Sequence, residues 1–124
     1  MEDDKIRSFR GLNAWREGHT LVLLVYKITE DFPDKERFGL TSQIRRAVVS
    51  ITSNISEGFN REGLKEKIQF YSISRGSLAE VQNQLLIARD IGFLSEELFL
   101  KAADESVIVS KLINGLIKSL KKLV

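Results

Sequence analysis

The sequence predicts an all-α protein, folded as an antiparallel up-down-up-down four-helix bundle. Apolar residues recur at three- and four-residue steps in four segments, which is the period of an amphipathic helix. The chain has a single proline, and most of its residues are good helix formers. The connections between the segments are short, and short connections favour antiparallel neighbours. Residues 1–124 are therefore expected to form one domain.

The first helix is predicted over residues 13–31, with Asn13 as a candidate N-cap and Pro33 as the stop. Gly18 lies inside its apolar stripe, where glycine costs about 1 kcal/mol of helix propensity relative to alanine. A close helix contact is the expected reason. The acidic residues 2–4 are expected to fray. The stripe consists of Trp15, Gly18, Leu21, Val22, Val25, Ile28 and Phe32.

The second helix, predicted over residues 41–57, carries two stripes side by side. Thr41 or Ser42 is the expected cap, and Gly58 is expected to end the helix as a left-handed residue. Its apolar stripe is Ile44, Ala47, Val48, Ile51 and Ile55. The neighbouring polar stripe contains small and amide side chains, which suit hydrogen bonding at a close contact, and it is predicted to hold helices or subunits in register. The candidate interface residues are the polar stripe, Gln43, Arg46, Ser50, Asn54 and Glu57, together with Gly76, Ser77 and Glu80.

The third helix is predicted over residues 62–91 and the fourth over residues 95–122. The third has more apolar surface than one partner helix needs, which predicts a second packing surface such as another subunit. Ser95 is the expected N-cap of the fourth helix, and Gly92 is expected to close the third. The predicted core stripes are Tyr71, Ser74, Leu78, Val81, Leu85 and Ala88 in the third helix, and Leu98, Ala102, Val109, Ile113, Leu116, Leu120 and Leu123 in the fourth.

Charge and composition exclude several classes of function for this chain. The chain has 19 basic and 17 acidic residues, and a net charge of +2 gives nucleic acid only weak support. It has no cysteine, which excludes disulfides, thiolate metal sites and a Cys nucleophile and fits a reducing cytoplasm. No apolar stretch approaches the roughly 20 residues that span a bilayer, and the acidic start lacks an apolar run. We therefore expect neither a membrane segment nor a signal peptide.

A group of basic residues around the second helix and the start of the third is the candidate nucleic-acid site. Glu62 and Glu66 dilute it, so a solvated face is the alternative to phosphate contact. Lys118, Lys121 and Lys122 are interpreted as a solvated helix end that the dipole favours, rather than as an RNA patch. The candidate group is Arg45, Arg46, Arg61, Lys65, Lys67 and Arg75, to which Arg10, Arg16 and Arg37 would add.

No motif in the sequence indicates catalysis, a metal or another cofactor. His19 is the only histidine, and it lacks a second ligand at the spacing of helical metal sites. Glu57 would lie near the turn after the second helix, and Glu80 would lie roughly 25 Å farther along the third helix. An enzyme would therefore need them to meet across subunits with Arg46 or Arg75. We therefore expect a non-enzymatic protein that takes no small-molecule substrate. The same lack of a positioned base argues against a nucleophile among Ser50, Ser53, Ser74 and Ser77.

Four motifs follow one another along the chain: F-x-x-L-x-x-W, Y-x-x-T-x-x-F-P-x-x-E-x-x-G-L, Q-x-R-R-A-x-x-S-I-x-x-N-I-x-E-G and G-S-L-A-E. They begin at Phe9, Tyr26, Gln43 and Gly76, respectively, and the last motif ends at Glu80. In this order they resemble the bacterial four-helix-bundle family whose founding members are encoded in intervening sequences of large-subunit ribosomal RNA genes. Members of that family usually carry alanine at the position of Ser74, a small-for-small difference that leaves the fold assignment intact.

The resemblance implies a homopentamer of antiparallel four-helix bundles without established enzymatic activity. A related branch serves as the accessory protein of diversity-generating retroelements and is thought to bind the reverse transcriptase and nucleic acid. We therefore expect a cytoplasmic homo-oligomer that binds RNA, DNA or an RNA-related partner. The alternative is a scaffold that binds a protein such as a reverse transcriptase. Phosphate binding would weaken steeply with salt, whereas binding through an apolar groove would not.

Overall fold

Residues 9–124 fold into four α-helices and two short 3₁₀ turns, and they contain no strand. A computed structural model describes these residues, and the expectation that residues 2–4 fray lies outside them. The 3₁₀ turns, Phe9–Gly11 and Asp34–Glu36, precede the first and second helices. The helices are α1 (Asn13–Thr29), α2 (Leu40–Asn60), α3 (Leu64–Asp90) and α4 (Glu96–Lys121).

The helices enclose one aliphatic core. The main packing pairs are α1 with α2, α2 with α3, α3 with α4, and α1 with α4. Burying one large aliphatic side chain contributes about 1.5–3 kcal/mol relative to leaving it exposed. The side chains predicted to form the core stripes of the first three helices are buried or pack against this core, so those predictions are confirmed. The largest fully buried side chains include Leu21, Ile44, Ile51, Leu78 and Ile113.

The predicted core stripe of the fourth helix is wrong at its two ends. Leu98 is 38 % exposed and Leu123 is 68 % exposed, whereas the neighbouring Phe99 is buried. In the first turn of α4, both Leu98 and Phe99 fit the apolar spacing of the helix. The larger side chain, Phe99, is the one that faces the core. Leu123 lies beyond Lys121, the last residue of α4. The observed stripe is Phe99, Ala102, Ser106, Val109, Ile113 and Ile117.

The helix N-termini follow the predictions at one of three places. Asn13 is the first residue of α1 rather than its cap. At the start of α2, the N–H of Leu40 donates to Oε1 of Glu36 at 3.0 Å, so a carboxylate from the preceding turn replaces the expected hydroxyl cap. Ser95 is confirmed as the N-cap of α4, because its hydroxyl accepts a hydrogen bond from the Leu98 N–H at 3.2 Å.

Gly58 does not end the second helix, contrary to the prediction. The helix continues for two more residues, and Gly92, which closes α3 as predicted, is the residue with a positive φ, 88°, in the described part of the chain. A Cβ at Gly58 would lie 2.8 Å from Cε1 of Tyr71. A Cβ at Gly18 would lie 3.0 Å from Cγ2 of Thr52. Both glycines therefore allow close helix approach, which the sequence predicts for Gly18 only.

Candidate nucleic-acid interface

An open cleft of about 520 Å³ lies between α1 and the start of α2. Phe38, in the connection between these helices, is 89 % exposed, and Tyr26 of α1 is 40 % exposed. Aromatic rings next to basic side chains form the kind of surface on which single-stranded bases stack. We call this the α1–α2 cleft, and its lining residues are Tyr26, Arg37, Phe38, Thr41, Ser42, Arg45, Arg46 and Val49.

One guanidinium group in the α1–α2 cleft is fixed in place by α1. The Nε of Arg45 donates to Oγ1 of Thr29 at 2.8 Å, and its Nη2 donates to the carbonyl of Tyr26 at 3.4 Å. Its Cζ also lies 4.7 Å from the centroid of the Tyr26 ring. The Thr29 hydroxyl in turn donates to the carbonyl of Val25 at 2.8 Å. Arg45 is thus a pre-oriented positive charge, which lowers the entropy lost on binding an anion.

Two polar groups of the α1–α2 cleft have no partner in the described chain. Arg46 is exposed and makes no hydrogen bond or ion pair with residues 9–124. Thr41 is 9 % exposed, and its Oγ1 is buried without a hydrogen-bond partner. Leaving a buried hydroxyl unsatisfied costs about 1–3 kcal/mol.

The six basic residues predicted to bind nucleic acid do not form one surface. Arg45 and Arg46 line the α1–α2 cleft. Arg61 instead pairs with Glu57 at 3.1 Å, where both side chains are about half exposed. Lys65 is exposed at the start of α3. The predicted cluster is therefore divided, and only its first two members share the α1–α2 cleft with the rings of Tyr26 and Phe38.

The remaining two members of that group bond to other parts of the fold. The Nζ of Lys67 donates to the carbonyls of Gly58 at 3.3 Å and Phe59 at 2.7 Å, so it satisfies carbonyl groups at the end of α2. The Nη1 of Arg75 donates to Oδ1 of Asn114 on α4 at 3.1 Å. Lys67 therefore has a structural role, and Arg75 belongs to a different face of the molecule.

Part of the predicted polar stripe forms hydrogen bonds inside the chain. The hydroxyl groups of Ser50 and Ser77 lie 2.8 Å apart and join α2 to α3. Nδ2 of Asn54 donates to the Ser50 carbonyl at 2.8 Å and to the Ser50 hydroxyl at 3.0 Å. Nearby, the buried Ser74 hydroxyl donates to the Ile51 carbonyl at 2.7 Å. The Ser50–Ser77 and Ser74–Ile51 bonds specify how α2 packs on α3, because each lost partner would leave a polar group unsatisfied.

The other predicted interface residues are exposed. Gly76 lies within the 27-residue α3, where a Cβ would meet nothing within 4 Å. A glycine in the middle of a helix costs about 1 kcal/mol of helix propensity relative to alanine. No contact inside the described chain explains why glycine occupies this position. Ile73 is 46 % exposed and Ile87 is 41 % exposed on the same side of α3. We call this surface the α2–α3 face, and it consists of Gln43, Glu57, Ile73, Gly76, Glu80 and Ile87.

A pair of carboxyl groups, Glu17 and Glu105, meets between α1 and α4, away from the α1–α2 cleft. Burial, followed by the neighbouring charge of Glu17 and a hydrogen bond with it, raises the pKa of Glu105. Oε2 of Glu105 is buried without a partner in the described chain.

Burial also raises the pKa of Tyr71, which packs against α2. Across residues 9–124, no three His, Asp or Glu side chains are grouped as a metal site requires.

Glu105→Gln is expected to raise the melting temperature near neutral pH by about 2 °C. Because folding raises the pKa of Glu105 above its ordinary 4.5, the protonated carboxyl stabilises the fold below that pH, and the contribution is lost as pH rises through the folded value. Glutamine does not ionise, so the advantage of the variant should shrink toward about pH 4. Thermal unfolding across this range, with the exposed Glu62→Gln as control, checks the prediction. A gain that is independent of pH would contradict it.

Nothing in the helical pattern singles out the aromatic half of the α1–α2 cleft. Tyr26 lies beside the apolar stripe of α1, and Phe38 lies in the short connection that precedes α2. One signal was available. Phe38 follows a run of charged residues and belongs to no apolar stripe, which is a pattern typical of an exposed contact residue.

These features define a class: an all-helical bundle protein with an arginine and aromatic cleft. None of the helices in the described range is long and apolar enough to cross a membrane. The chain belongs to the 23S rRNA-intervening sequence protein family, whose model matches residues 10–115. The family match confirms the resemblance seen in the four sequence motifs.

A solved structure has a similar fold. It is the crystal structure of a protein with unknown function from the S23 ribosomal protein family, from Bacteroides thetaiotaomicron VPI-5482. The TM-score is 0.79 with 18 % sequence identity, over 85 % of this chain and 95 % of that chain. At this identity the likeness supports the fold alone. No curated protein matches the chain.

Proposed function

We propose that this protein binds single-stranded RNA in the α1–α2 cleft. The observation that carries the proposal is one open cleft in which the exposed rings of Phe38 and Tyr26 lie among three arginines. A duplex keeps its bases stacked on one another, whereas a single strand offers bases that stack on protein rings. The link of the family to ribosomal RNA intervening sequences favours RNA over DNA.

Each group in the cleft has a distinct part in this proposal. A base stacks on Phe38, whose ring is 89 % exposed and has Arg37 5.4 Å from its centroid. Arg46 contacts a neighbouring phosphate, because no described residue neutralises it. The fixed Arg45 adds a second positive charge. Binding of this kind tolerates many sequences, because every base has a face to stack.

A titration with labelled RNA tests the proposed function. A short single strand is expected to bind at least about tenfold more tightly than a duplex of the same sequence, measured by fluorescence anisotropy. The logarithm of the affinity should fall linearly with the logarithm of salt concentration, because phosphate contacts release counterions. Equal affinity for the two RNAs, or a preference for the duplex, would contradict binding by stacking.

We also propose that the chain is an antiparallel up-down-up-down bundle that assembles into a homo-oligomer, a pentamer by the family resemblance. The α2–α3 face is the proposed subunit interface. Gly76 supports this, since a glycine within a helix whose Cβ position is open allows another backbone to approach closely. Ile73 and Ile87 add apolar area on both sides of it. Assembly would repeat the α1–α2 cleft and thereby multiply a weak RNA contact.

A second candidate function is a scaffold that binds a protein, such as a retroelement reverse transcriptase. An apolar groove of about 270 Å³ between α3 and α4 favours it. Two of its residues, Leu86 and Val107, are 42 % and 46 % exposed. Binding in this groove would change little with salt, so the salt series of the RNA titration separates it from phosphate binding. The groove is lined by Gln82, Leu85, Leu86, Phe99, Ala103, Ser106 and Val107.

A further inference from the structure

A second cleft, of about 480 Å³, lies between α3 and α4 and is strongly basic. One arginine of α3 and three lysines at the C-terminal end of α4, the last of which caps the helix, line it. They are accompanied by an asparagine and by a buried isoleucine at its base. We call it the α3–α4 cationic cleft, and its lining residues are Arg75, Asn114, Ile117, Lys118, Lys121 and Lys122.

The fold positions these charges so that they converge. Nη1 of Arg75, a residue of α3, donates to Oδ1 of Asn114, a residue of α4, at 3.1 Å. This bond holds the guanidinium group of Arg75 beside α4. Asn114, Lys118 and Lys121 follow one another at helical spacing on one side of α4, and Lys122 is the residue that caps the helix. The three lysines therefore line the same cleft as Arg75.

No acidic side chain of the described chain compensates the charge of this cleft. Its lining contains no acidic residue, and its four basic side chains form no ion pair with residues 9–124. The last acidic residue of α4 is Glu105, which lies before the cleft begins at Asn114. Like charges that share a cleft repel one another, and an anion bound between them adds attractive interactions that offset this repulsion.

The helix dipole does not explain the arrangement. Lysines near the C-terminus of α4 are favoured by the dipole wherever they point around the helix. That effect accounts for Lys118 and Lys121 in the last turn. It does not account for their convergence with Arg75, a residue of another helix. Lys111, which is also exposed on α4, lies outside the cleft and lines a recess beside α1 instead.

We propose that the α3–α4 cationic cleft binds a chain of phosphate groups, supplied either by a free oligophosphate or by an RNA backbone. An open groove with four separated positive charges suits an extended polyanion, because one carboxylate would leave most of that charge uncompensated. Arg75 offers a planar guanidinium group to two oxygens of one phosphate, and the lysines serve as point charges for its neighbours. The RNA branch rests on the proposed function, whereas the oligophosphate branch does not.

Titration calorimetry with tripolyphosphate at low salt tests the first branch. The wild-type chain should show saturable binding, and Lys118→Gln/Lys121→Gln should weaken it by at least about tenfold. Lys111→Gln removes a lysine from the same helix outside the cleft and should stay within about twofold. All the replaced side chains are exposed, so the melting temperatures should agree closely and rule out unfolding as the cause.

Salt titrations with single-stranded RNA test the second branch on the same variants. Removing two phosphate contacts should reduce the slope of log affinity against log salt by about 1.4, since each contact contributes about 0.7 for single strands. Either effect, confined to the double variant, supports the inference and tells which source supplies the phosphates. RNA binding with neither effect, or an equal loss in Lys111→Gln, would overturn it and leave the proposed function standing. Saturable tripolyphosphate binding without any RNA binding would support the inference and contradict the proposed function.

Discussion

Phe38→Ala is expected to weaken binding of single-stranded RNA by about tenfold or more, because one base loses the ring on which it stacks. Stacking of a base on an aromatic side chain contributes about 1–3 kcal/mol. Phe38 is 89 % exposed, so its removal should change the free energy of unfolding by no more than about 0.5 kcal/mol. The loss would therefore come from the contact itself. Anisotropy titrations at one salt concentration measure it.

Two further variants separate stacking from charge. Leu23→Ala is the matched control, because Leu23 is 58 % exposed on α1 but does not line the cleft, and it should bind as wild type does. Arg46→Gln should lower the salt slope by about 0.7, whereas Phe38→Ala should leave the slope unchanged. Phe38→Ala with unchanged affinity would remove the aromatic contact and, with it, the main reason to place RNA in this cleft.

Gly76→Leu is expected to convert the proposed homo-oligomer into single chains. The Cβ position at Gly76 is open, so leucine should fit the isolated bundle and add about 0.8–1 kcal/mol of helix propensity. The same side chain would stand between two backbones that meet at the α2–α3 face. Gly76→Leu is therefore expected to stabilise the single chain while it disrupts the oligomer. Light scattering on a sizing column measures the mass, and thermal unfolding measures the stability.

Gly115→Leu provides the matched control for the assembly prediction. Gly115 is an exposed glycine within α4 whose Cβ position is also open, but it lies outside the α2–α3 face. The variant should therefore keep the oligomer mass of the wild type. If Gly76→Leu keeps that mass too, the α2–α3 face is not the subunit interface. The exposed glycine in α3 would then need another explanation.

The four helices could be predicted because their pattern is local. The spacing of Leu21, Val25 and Ile28 in α1, or of Ile44, Ile51 and Ile55 in α2, identifies a buried side without knowledge of the partner. Gly58 shows the limit of this approach. Glycine after an apolar stripe usually signals a helix end, but here Tyr71 of α3 fills the space that a side chain would need.

The candidate site was harder to predict because it depends on contacts between helices. The six predicted basic residues are close in sequence, yet helix packing divides them: Arg45 bonds to Thr29 of α1, and Arg75 bonds to Asn114 of α4. From the sequence, Lys118 and its neighbours are interpreted as a solvated helix end. The structure shows that they line a cleft together with Arg75 of α3. Charge and spacing alone do not determine such partners.

Ultraviolet cross-linking tests the central claim most directly. The wild-type protein would be irradiated with a short single-stranded RNA and digested, and the peptides that carry nucleotides would be identified by mass spectrometry. We predict adducts on Phe38 or Tyr26, the two rings of the α1–α2 cleft. Adducts confined to peptides from other surfaces, or RNA that binds without any adduct at these rings while cross-linking elsewhere, would contradict RNA binding in this cleft.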